Sequence, residues 1–106
     1  MNILLHINDA ERFPMLKTNI KYLNKAEFDG KITVVANGGA VKKYYEADEQ
    51  KFLETLADRV EFIACRNSLA VNHLQAETLP KMIEIVPNGI LEVVERQAEG
   101  YGYIKV

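Results

Sequence analysis

The stretch "KITVVANGG", residues 31–39, sets Ile32, Val34, Val35 and Ala36 almost side by side and then breaks into asparagine and glycine. A strand wet on one face alternates apolar and polar side chains. Three apolar residues in a row suit a strand covered on both faces. "NILLHI" (2–7), with Ile3, Leu4 and Leu5 in sequence, and "VEFIAC" (60–65) read the same way. "KMIEIVP" (81–87) and "YGYIKV" (101–106) complete five β-rich runs.

The connections carry helical spacing. Phe13, Leu16, Ile20 and Leu23 share one helix face, and Pro14 fits if that helix begins close to it, because a proline in the first turn forfeits no hydrogen bond. The second connection offers Val41, Tyr44 and Tyr45, then Phe52, Leu53 and Leu56, which predicts one bent helix or two short ones, with Asp48 a cap for the second. Leu69 to Leu74 forms a short apolar stripe in the third. Ile90, Leu91, Val93, Val94 and Ala98 fill the fourth, which Gly100 can stop. Strand and helix alternate throughout, with no repeat and no low-complexity segment. The pattern predicts an α/β fold, a three-layer α/β/α sandwich with a parallel five-stranded sheet, as a single domain over residues 1–106.

Composition narrows the function. A formal charge of −2, with basic residues scattered among acids, argues against a nucleic-acid binder held by phosphate contacts. No apolar run reaches the roughly 20 residues that span a bilayer, so no membrane partner is expected. "MNILLHIND" is too short and too quickly polar for a signal peptide. One cysteine forms no intramolecular disulfide, and the expected location is cytoplasmic.

In open α/β sheets, sites form beyond the carboxyl ends of the strands. Those ends carry His6, then Asn37, Gly38 and Gly39, then Cys65, Arg66, Asn67 and Ser68, then Asn88 and Gly89. Cys65 would stand where a helix begins, beside Arg66, and both helix amides and a guanidinium favour a thiolate. The alternative is a small buried residue closing a strand, a common fate of free cysteine. "ANGGA" suggests a phosphate cradle but matches neither GxGxxG nor the P-loop, and reads better as a tight turn. His6 is placed to orient or protonate a group near Cys65. His73, about 12 Å further along a continued helix, is not. No CxxC, zinc spacing or GxSxG elbow is present, and neither metal nor cofactor is expected.

Taken together, "NILLHI", "NIKYLNK", "ITVVANGGAVKKY", "VEFIACRNSL" and "IVPNGILEVVERQAEGYGYIKV" resemble the DsrE/DsrF-like family of small sulfur-relay-related proteins. The resemblance spans the whole chain and is most specific in its tail and in the cysteine at the third strand's end. It implies a homo-oligomer such as a trimer or hexamer, and a cysteine, here Cys65, that carries sulfane sulfur as a persulfide. Sulfur-donor and sulfur-acceptor proteins would then be its partners. His6, Asn37, Gly38, Gly39, Arg66, Asn67, Ser68, Asn88 and Gly89 would line the site. The expected function is therefore a sulfurtransferase-like carrier. The alternative is a non-catalytic ligand-binding or assembly module in which Cys65 is structural.

Overall fold

The computed structural model describes residues 1–106. Five strands, β1 (Ile3–Ile7), β2 (Ile32–Ala36), β3 (Val60–Cys65), β4 (Ile83–Val86) and β5 (Gly102–Lys105), form one all-parallel sheet in the order β4-β3-β2-β1-β5. Four α-helices connect them: α1 (Phe13–Lys25), α2 (Ala47–Glu54), α3 (Arg66–Val71) and α4 (Gly89–Ala98). The expected fold is therefore present.

The strand order decides how the layers are filled. From β1 to β4 each connection steps the same way. The last returns across the sheet to place β5 beside β1. Parallel crossovers are right-handed, so the reversal carries α4 to the opposite face from the other three helices. The core divides accordingly. Leu5, Ile7, Val34, Ala36, Phe62 and Ala64 pack with Phe13, Leu16, Ile20, Tyr44, Leu53 and Leu69 in the larger cluster, while on the other side Leu4, Val35 and Ile63 form a small apolar cluster with Val93.

Local chemistry explains the elements. Pro14 sits in the first turn of α1, and Phe13, Leu16 and Ile20 are its buried face. The second connection forms two pieces, a 3-10 segment over Gly38–Tyr45 followed by α2. Tyr44 is fully buried there; its hydroxyl donates to the Ile63 carbonyl at 3.0 Å and its ring meets Phe13 edge-on. Asp48 does not cap α2 as the sequence suggested. Glu46 holds the cap position, and Asp48 lies in the first turn, where a carboxylate still complements the helix dipole.

Candidate functional site

Three elements converge on Cys65. Its backbone is extended at the end of β3 and it caps α3, its sulfur accepting from the Ser68 N–H at 3.4 Å. Asn88 caps α4, its Oδ1 accepting from the N–H groups of Ile90 and Leu91 at 2.9 and 3.2 Å. This brings Gly89 down onto the sheet. A Cβ at position 89 would lie 3.1 Å from Cys65 Cβ and 3.3 Å from Asn37 Cβ. The carboxyl ends of β2 and β3 thus meet the start of α4 so closely that a Cβ there would be crowded.

Burial raises the Cys65 thiol's pKa, but the Ser68 hydroxyl and the backbone N–H groups of Gly89, Ser68 and Asn67 together hold it below the ordinary thiol value. Each of these donors favours the thiolate. They come from the starts of two helices. Cys65 is also buried, the residue being 4% exposed.

His6 and Asn37 are joined to each other. His6 Nε2 lies 2.8 Å from Asn37 Oδ1, and Nδ1 lies 2.7 Å from the Tyr103 hydroxyl. With the amide oxygen able only to accept, Nε2 carries the proton and Nδ1 accepts from tyrosine. His6 is thus tied to Asn37 and Tyr103, and β2 stands between it and Cys65 on β3. Tyr103, on β5, belongs to this chain of polar groups although its position in the sequence gave no sign of it.

The remaining predicted residues divide. Gly38 donates its N–H to Ser68 Oγ at 2.7 Å, and its carbonyl accepts from Asn72 Nδ2 at 3.3 Å. "ANGGA" is thus a turn tied to α3 rather than an open anion cradle. A Cβ at Gly39 would meet nothing, so that residue faces open space. Asn67 is exposed and contributes through its backbone. Arg66 is exposed and lines a shallow groove with Leu69, Leu74 and Glu77. His73 lies beyond the end of α3, not on it. No group of three or more histidine, cysteine or carboxylate side chains is placed to hold a metal.

A second polar cluster went unforeseen. Arg96, in the last turn of α4, grips Glu61 with a fork, Nη1–Oε1 at 2.8 Å and Nη2–Oε2 at 3.1 Å. Its Nε bonds Glu92 at 2.7 Å, and Nη1 also reaches Thr33 Oγ1 and the Tyr101 hydroxyl. Register held the missing signal. His6, Thr33, Glu61 and Glu84 interrupt otherwise apolar strands, and the strand pairing places all four on the α4 face. That face mixes polar and apolar groups, whereas the three-helix face is apolar along every strand.

An α/β domain with one all-parallel five-stranded sheet and a cysteine at the carboxyl end of its third strand is the class defined here. No family model matches the chain, and no curated protein matches it. Among solved structures it is similar to a protein of unknown function, MTH1491 from Methanobacterium thermoautotrophicum, with a TM-score of 0.86 and 27% sequence identity over 99% of this chain and 98% of that one. No helix is long and apolar enough to cross a membrane.

Proposed function

We propose that this protein is a sulfur carrier of the DsrE/DsrF-like kind, loading sulfane sulfur on Cys65. The observation that carries the reading is the Ser68 N–H donating to the Cys65 sulfur at 3.4 Å where β3 gives way to α3, with the start of α4 packed beside it, a setting that favours the thiolate needed for attack. The Cys65 thiolate would attack the outer sulfur of a donor persulfide, R–S–SH. The donor's S–S bond breaks as a new one forms at Cys65, the donor departs as its thiolate, and no net oxidation occurs. The same N–H groups that favour the thiolate would stabilise the persulfide anion. An acceptor thiolate then repeats the exchange, so no second cysteine is needed within the chain. Donor and acceptor proteins are its partners in this reading, which places the protein in the cytoplasm as a homo-oligomer. Ile90, Leu91 and Val94, exposed along α4, offer apolar area for such contacts.

One observation favours a second reading. Cys65 is 4% exposed and Gly89 packs against it, as expected of a structural residue in a binding or assembly module.

The rate of Cys65 alkylation against pH, followed by intact mass, separates the two. The carrier requires a midpoint clearly below about 8.5, the value for a free thiol, and gain of one sulfur atom from a sulfane donor that thiols then remove. A midpoint at or above that value, or no reaction until the protein unfolds, would sink the carrier. A module would keep its assembly in Cys65→Ser.

A further inference from the structure

Two features mark the ends of α4. The first is a glycine at its first position. Gly89 has an ordinary backbone, since positive φ among glycines is confined to Gly38 and Gly100, and glycine is an unfavourable helix residue by about 1 kcal/mol relative to alanine. What favours it is contact: a Cβ there would crowd Cys65 Cβ at 3.1 Å and Asn37 Cβ at 3.3 Å. The second is the guanidinium at the other end. Arg96 makes bonds to four side chains, and its own side chain is 12% exposed.

The two are connected by the helix itself. Apart from Gly89, the only buried residue of α4 is Val93, and the apolar cluster beneath it is small. On so narrow an apolar base, the polar contacts of the helix carry much of its placement. Gly89 and Arg96 lie on opposite sides of Val93, about 10 Å apart by helical rise. The carboxylate fork at Glu61 fixes one end in distance and in angle, as a bidentate guanidinium pair does and a point charge does not. With that end fixed, Gly89 is held against Cys65.

We propose that Arg96 is a positioning residue for Cys65, acting through α4 by locking the helix to Glu61 on β3 so that the backbone at Gly89 stays packed against the cysteine. The role rests on the reading of Cys65 as the working group. Arg96 touches neither sulfur nor substrate and has no part in the exchange itself.

The test compares the pH midpoint of Cys65 alkylation in the full chain for the natural sequence, Arg96→Met, Arg96→Lys and Lys17→Met. Arg96→Met removes the fork and keeps the stem. It should raise the midpoint by about 0.5 pH unit or more, as loss of an aligned thiolate donor does. Arg96→Lys, which keeps the charge without the fork, should fall between. Lys17→Met cuts an ion pair between α1 and α2 on the other face and should leave the midpoint in place, which separates positioning from a general loss of stability. A natural midpoint below about 8.5 that stays put in a folded Arg96→Met overturns the positioning role while leaving the carrier intact. If Arg96→Met does not fold, an unmoved midpoint in Arg96→Lys overturns it equally. A natural midpoint at or above the free-thiol value overturns both.

Discussion

Gly89 shows how much one missing side chain can decide. Alanine in its place would gain helix propensity, about 1 kcal/mol. It would also push against two Cβ atoms anchored to strand ends, and overpacking of this kind costs roughly 1–3 kcal/mol. The expected outcome for Gly89→Ala is a net loss of about 1 kcal/mol, read by urea denaturation, together with a raised Cys65 midpoint. Asn37→Ala would leave the His6 Nε2 proton without its acceptor but would not touch that packing. At this scale the sequence was half legible. Cys65 announced itself, because "VEFIAC" breaks into "RNS" where a strand must end. Gly89 could be placed at the same edge of the sheet, but its contact with Cys65 could not, nor could the Tyr103 bond to His6: they come from segments 24 and 38 residues beyond Cys65, and their approach depends on how α4 and β5 cross back over the sheet. Arg66, adjacent in sequence, points to a different groove.

Helix ends give the next level of detail. Three helices close with the same device, a residue in the left-handed region followed by a backbone bond five residues back: Phe28 to Leu23, Leu74 to Leu69 and Tyr101 to Arg96. Gly100 takes that conformation freely at φ +93. Glu27 and His73 take it at φ 57 and 58 with a Cβ to accommodate. Side chains pay roughly 1 kcal/mol there. Glu27→Gly should therefore stabilise the fold, by about 0.5–1 kcal/mol, seen as a higher thermal midpoint. A melt unchanged or lowered would refute it. His73→Gly should act in the same direction. Gly100 was readable as a stop because glycine is the common choice. The other two ends carry no such mark, which is why the third helix read three residues too far, as far as Leu74. The second connection was ambiguous between one helix and two because its apolar spacing fits either. Tyr44, buried on the sheet, and Glu46, extended, make it two.

Across the whole molecule the faces of the sheet differ in kind. Three helices bury an apolar face; one helix covers a face held in good part by charge. Hydrogen bonding to Arg96 holds the Glu61 carboxyl well below its ordinary value of 4.5, at about 2. A lowered carboxyl pKa stabilises the fold above the ordinary value and loses that contribution as pH falls through the lowered one. Thermal midpoints should therefore drop between pH 4.5 and about 2, and Glu61→Gln should flatten that limb. Glu84 titrates the other way: burial and the nearby Glu61 charge raise its pKa, so its protonation on acidification relieves repulsion before the loss begins. The five-stranded parallel sheet was legible because doubly covered strands cannot hide their apolar runs. The unequal filling of its faces was not, since it follows from where β5 pairs. That pairing also sets a timetable. Synthesis runs from the amino end, and domains begin to organise as they emerge. β1 to β4 and their three helices can assemble while α4 and β5 are still being made. The newborn thiol is then without its Gly89 donor, and His6 without Tyr103. If Cys65 is the carrier's thiol, its surroundings are completed last, as the final segment crosses back over the sheet.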